Sequence, residues 1–178
     1  MTNKAIPAFC FAFLFLAIRT ASAEPVEIAT NTYYEVHGAS MKEVRKSLDQ
    51  HSAMTHDFGN RDALTNYRVD IKWATPPVIT LKVTFIMPKW AEYQQASKDL
   101  QKKWTDYINI LQLHEDGHKK IAEDYARAVE QRVVLEGPRP GRNFSRDLNN
   151  IASDCAKKQL EYDRVTKHGQ NQGLKFPL

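Results

Sequence analysis

Cysteine is nearly absent from this sequence: there are two in 178 residues, Cys10 and Cys155. Cys10 lies within an apolar N-terminal run, so the rest of the chain carries Cys155 alone. An internal disulfide is therefore excluded even in an oxidising compartment; pairing with another chain stays open, and burial of the thiol as a small apolar group is the preferred expectation. A strong charge of one sign is lacking as well. The formal net charge is +4, and without Lys4 and Arg19, two of the 25 basic residues, the balance is 23 basic against 21 acidic. Such a surface lacks the cationic footprint that a nucleic-acid partner requires. Repeats and low-complexity stretches are also missing, which excludes solenoid and linker architectures.

The first 23 residues differ from the remainder. Lys4 precedes an apolar run from Ala5 to Ile18, followed by Arg19-Thr20-Ala21-Ser22-Ala23. The run is too short to span a bilayer and ends in a small-x-small pattern, so residues 1–23 read as a signal peptide cleaved after Ala23. Cys10 follows Phe9, lacks the small residue that precedes a lipid-modified cysteine, and would leave with the leader. The expectation is a secreted or periplasmic protein with no stable membrane insertion after cleavage. Residues 24–178, about 155 in number, suit one domain with its own core.

The residues that carry chemistry are His114-Glu115-Asp116-Gly117-His118, an HExxH sequence. At 3.6 residues per turn, two histidines four apart share a helix face and can reach one metal ion. Zinc at such a pair polarises a carbonyl oxygen and acidifies a water, and Glu115 is placed to act as the general base. For this composition the pattern arises by chance in about one chain in a hundred. Its context agrees: Leu100, Trp104, Tyr107, Leu111, His114, His118, Ile121, Tyr125 and Ala128 form one stripe at helical spacing, which turns the imidazoles inward. Lys102, Lys103, Asp106, Lys120, Glu123, Asp124 and Glu130 lie opposite and read as a solvated face. Ser97 marks the start of this helix and Leu135-Glu136-Gly137-Pro138 its end, giving close to forty residues and about 60 Å.

Around it, Thr32 to His37 reads as a short strand ended by Gly38, and Ser40 to Gln50 as a helix capped by Ser40 with Glu43 three residues on. His51 to Leu64 is polar, with a Gly59-Asn60 turn signal. Thr65 to Trp73 alternates with Tyr67, Val69, Ile71 and Trp73 on one face, and Val78 to Met87 with Ile79, Leu81, Val83, Phe85 and Met87. Ala74-Thr75-Pro76-Pro77 should join these as a hairpin, and Pro88 should end the second strand. Residues 138–143 form a loop, Ser145 to Tyr162 a second long helix, and the polar tail from Asp163 onward is expected to be irregular. The predicted fold is α+β, with a small antiparallel sheet packed beside the HExxH helix and a C-terminal helix.

A catalytic zinc normally takes three protein ligands. Asp124 follows His118 at the metzincin spacing, but Ile121-Ala122 continues the helix and turns Asp124 away from the pair. Asp147, Asp154 and Glu161 on the second helix stay open, although their surroundings only partly imitate the gluzincin pattern. His168 is the preferred third ligand: a helix folding back would return it to the site, and Gly169 and Gly173 permit close backbone approach. Tyr162, Asp163 and Thr166 could orient an imidazole or bind a substrate oxygen. His37, His51 and His56 read as surface histidines. For a second donor to the substrate carbonyl only Tyr162 or Tyr125 comes forward, and a tyrosine in such a stripe is more often packing.

Taken together, the leader, Tyr33-Tyr34, Pro88-x-Trp90, Trp104, the HExxH sequence and Tyr162-Asp163-x-x-Thr166-x-His168-Gly169-x-x-Gln172-Gly173 resemble the bacterial secreted zinc-dependent proteases of domain of unknown function 922. The resemblance implies a zinc peptidase acting on a peptide or protein, an assignment that for the family itself rests mainly on HExxH. Members with a cysteine near the hairpin differ from this chain, which has Pro76-Pro77 there. The expected function is thus a secreted zinc metallohydrolase, with His114, His118 and His168 as metal ligands and Glu115 as base. The rivals are a zinc-stabilised binding or structural module without catalysis, and a metal-free helical interaction domain.

Overall fold

The computed structural model describes residues 24–54 and 61–178. The expected leader and its cleavage point, Cys10, His56 and the Gly59-Asn60 turn lie outside the described residues. Three strands and three long helices follow in the order β1 (Val26–Val36), α1 (Met41–Met54), β2 (Leu64–Lys72), β3 (Val78–Trp90), α2 (Lys98–Glu136) and α3 (Phe144–Thr166). The architecture is α+β, as the order of patterns implied. No described helix is long and apolar enough to cross a membrane.

The sheet has the order β1-β3-β2. Strands β2 and β3 form the expected antiparallel hairpin, with Thr65 opposite Phe85 and Ile71 opposite Ile79. β1, however, runs parallel to β3, from Val26 beside Thr80 to Val36 beside Trp90, so the sheet is mixed and not antiparallel throughout. β1 also starts six residues earlier than its composition suggested. It is an edge strand exposed over nearly its whole length, so its side chains carry no inside-outside alternation to read. Pro88 does not end β3. Pairing with β2 stops at Ile86, so beyond it β3 has β1 alone as neighbour, and a residue without an N–H is tolerated there.

β3 buries the predicted face, Ile79, Leu81, Val83, Phe85 and Met87. Against it pack Met41, Val44 and Leu48 of α1 and Trp104, Tyr107 and Leu111 of α2. Ser40 and Glu43 form the expected capping box at the start of α1. Trp73 lies past the end of β2 and stays 43% exposed, tilted against Phe144. In α2, Ser97 Oγ accepts from Leu100 N, and Gly137 closes the far end at φ 74°. Beyond the histidines its buried face turns to Ala122, Ala126, Val129 and Val133, and Glu130, expected in solvent, is buried with them.

α3 folds back antiparallel along α2. Arg132 meets Asp147 near the connecting loop, and His118 meets Gln159 further along. Cys155 is buried as expected, its Sγ 3.3 Å from Tyr67 Oη. The helix also runs four residues past its predicted end, so Asp163 is a helical residue and not part of an irregular tail.

Candidate metal centre

Because α2 continues unbroken through the HExxH sequence, its two imidazoles lie one turn apart, ring centroids 4.9 Å from each other. They face α3, where Gln159 and Asp163 repeat the same four-residue spacing. Asp163 Oδ1 lies 3.2 Å from His114 Nε2 and 3.0 Å from His118 Nε2. His114, His118 and Asp163 are the group of ligating atoms, all within 4.8 Å of one another, that could hold a metal ion.

The far nitrogen of each ring settles which proton it carries. Gln159 donates its amide N–H to the His118 carbonyl oxygen at 3.0 Å, which turns its own oxygen towards His118 Nδ1 at 2.5 Å. Gln172 is fixed in the same way: its amide nitrogen donates to Tyr162 Oη, Tyr162 donates to the His114 carbonyl oxygen, and the Gln172 oxygen lies 3.0 Å from His114 Nδ1. An acceptor facing each Nδ1 requires an N–H there, so in the neutral rings both Nε2 atoms present lone pairs. Two lone pairs and a carboxylate oxygen then converge within hydrogen-bond distance. A cation between them resolves that convergence, and a dry apolar site would not contain it.

Tyr162 shapes the floor. Its ring stacks on His114 at 5.2 Å and meets His118 edge-on at 5.0 Å. Gly117 leaves the space its hydroxyl occupies. With both hydroxyl functions engaged inside this scaffold, Tyr162 is not the carbonyl donor that its sequence position allowed. Tyr125 sits against Tyr67, ring centroids 6.1 Å apart, outside the site.

Glu115 is buried, 4% exposed, and its Oε2 accepts from Thr65 Oγ1 of β2 at 2.6 Å. Burial holds its carboxyl above the usual carboxylate range, while the Thr65 bond pulls the other way. His168, the third ligand expected from sequence, lies outside the ligand group. It follows the helix end in a left-handed conformation at φ 51°, its side chain is 58% exposed, and Nδ1 approaches Asp163 Oδ1 at 3.3 Å. Asp163 Oδ1, not a His168 nitrogen, is the group that lies within reach of both histidines. Asp124 pairs with Arg127 on the outer face, and Asp147 with Arg132 at the far end of α3. Asp154 and Glu161 make short-range pairs with Lys157 and Arg164. His37 is exposed as expected, whereas His51 stacks on Tyr34 at 3.7 Å.

Arg61 lies in a stretch that reads only as polar loop, and the sequence did not announce it. Its Nη2 lies 2.8 Å from Asp163 Oδ2, which leaves Oδ1 to face the histidines. Two adjoining clefts open here. One of about 320 Å³ is lined by Leu64, Tyr67, Ala156 and Leu160 beside His118 and Asp163. The other, about 360 Å³, is lined by Arg45, Tyr107, His168, Leu174 and Phe176. Arg61, Ala63, His114 and Glu115 border both.

No curated protein and no solved structure matches the chain. A family model does, described as bacterial protein of unknown function (DUF922), over residues 31–169, a span that includes both histidines, Glu115, Asp163, Arg61 and His168. This chain belongs to that family of bacterial proteins.

Proposed function

We propose that the protein is a secreted or periplasmic zinc-dependent hydrolase that cleaves peptide or protein amides. His114, His118 and Asp163 hold the metal, and Glu115 is the general base. The observation that carries this reading is the pair of Nδ1–H groups locked by Gln159 and Gln172, which aims two Nε2 lone pairs at one carboxylate oxygen. Separations of 3.0 and 3.2 Å between the Asp163 oxygen and the two Nε2 atoms would let all three groups reach one divalent cation. A divalent cation bound there supplies Lewis acidity towards a carbonyl oxygen and acidifies a water.

The chain's own residues do the rest. Gln159 and Gln172 keep the imidazoles oriented, and Thr65 holds the Glu115 carboxylate beside both clefts. A base in a buried, hydrogen-bonded carboxylate can take the proton of an attacking water and return it to the leaving nitrogen. The two clefts meeting at Glu115 suit an extended substrate with its reacting bond at the junction.

A second reading, a zinc site that stabilises a binding module, draws on His168. From its place beside Asp163 it could close the coordination sphere and leave no position for water. Metal analysis of purified protein together with Glu115→Gln separates the two. The hydrolase reading expects about one equivalent of zinc in both forms, with peptide cleavage by the native protein alone. Equal absence of cleavage with zinc retained supports the module, and absence of metal overturns both.

A further inference from the structure

A protein donor to the carbonyl oxygen of the substrate would add to the polarisation that a metal supplies, and neither tyrosine suggested by the sequence is free or near enough to serve. Four residues border both clefts: Arg61, Ala63, His114 and Glu115. Any substrate that crosses from one cleft to the other passes over these four. Ala63 has no polar side-chain atom. His114 donates its Nδ1–H to Gln172 and presents a lone pair at Nε2, and Glu115 is an acceptor when ionised. Arg61 is the remaining one, with five N–H donors. Its ion pair with Asp163 uses Nη2, and its side chain is 38% exposed at the cleft junction.

We infer that Arg61 is a catalytic residue, donating to the reacting carbonyl oxygen of an extended peptide as negative charge develops on it. This rests on the hydrolase reading above. The oxygen of water bonds to the carbonyl carbon, the C=O pair moves onto oxygen, and the water proton passes to Glu115. An Arg61 N–H bonds to that oxygen, and the guanidinium keeps its proton throughout. The C=O bond then re-forms, the C–N bond breaks, and the nitrogen departs with the proton that Glu115 held. The pairing with Asp163 anchors the guanidinium at the cleft junction through Nη2 before charge appears.

The test uses zinc-loaded full-length mature protein, the peptide it cleaves best, and a phosphinic analogue of that peptide as a tetrahedral anion probe. In Arg61→Ala, kcat should fall about 10²-fold with KM nearly unchanged, and affinity for the phosphinic peptide should fall in parallel. Added guanidinium ion should restore part of kcat. Arg61→Lys, which keeps the charge beside Asp163, should remain folded and zinc-bound yet recover little of the rate. Losses that follow zinc affinity instead, or equal phosphinic peptide binding by native and Ala forms, would reduce Arg61 to a support for Asp163. A native protein that holds zinc but cleaves no peptide would remove the hydrolase reading and this assignment together. Cleavage at the native rate by Arg61→Ala would remove the assignment alone.

Discussion

The backbone of Gly117 lies against the phenol of Tyr162 so closely that a Cβ at position 117 would overlap the Tyr162 hydroxyl oxygen and ring carbon. The glycine of the HExxH sequence is therefore a packing requirement of α3. It has no left-handed backbone angle to explain it.

Gly117→Ala should push Tyr162 out of its stack on His114 and break the relay through Gln172. We expect a stability loss of about 1–3 kcal/mol from overpacking and a zinc affinity lowered by at least about 10-fold. Urea unfolding of the metal-free protein reads the first quantity, and competition with a chelator reads the second. An unchanged zinc affinity would refute the relay.

Asp163→Asn removes the only carboxylate of the ligand group, whereas His168→Ala removes an exposed neighbour. The Asn variant should lose stoichiometric zinc on dialysis, and the Ala variant should keep it. Elemental analysis of the two proteins decides which residue completes the site; the reverse result would restore His168 to the place first expected for it.

Gln159→Leu leaves His118 Nδ1 without its acceptor. Outer-shell losses of this kind cost about 10–100-fold in metal affinity, and the same range is expected here while the fold is retained. Cobalt substitution followed by absorption titration would reveal it.

Glu130 is buried, its Oε1 lacks a partner among the described residues, and burial raises its pKa. Between its unfolded and folded pKa values the native state binds more protons than the unfolded state, so stability falls as pH rises through that interval and stays lowered above it. Glu130→Gln should thus unfold at a higher temperature than the native protein at pH 8, and the gap should close near pH 4. Thermal scans at both pH values check the sign.

Local periodicity made much of this arrangement legible. The steps from Trp104 through Leu111 to His114 place the pair on the buried face of α2, and Ile79 to Met87 give the buried face of β3. Ser97 and Gly137 mark the helix ends because capping is a short-range matter. What escaped depends on distant partners. The direction of β1 is set by β3, some fifty residues away, and its exposed residues give no hint of it. The helical position of Asp163 was hidden by the polar, glycine-containing stretch that follows it, although Cys155, Gln159, Tyr162 and Thr166 continue the helical spacing beyond the expected stop. That continuation was the available signal. Arg61 had none, since only the folded chain brings it to Asp163.

Among the described residues, the side chains that bond to or stack on the histidine pair lie after it in the chain: Gln159, Tyr162 and Asp163 on α3, and Gln172 beyond it. During synthesis the α2 histidines emerge some forty residues before these partners. A nascent chain therefore displays both imidazoles with no proton arrangement imposed on them, and tight capture of an ion has to wait for the final turns to dock. If the site takes a metal ion, the timing of its acquisition would then follow from the order in which the segments are made.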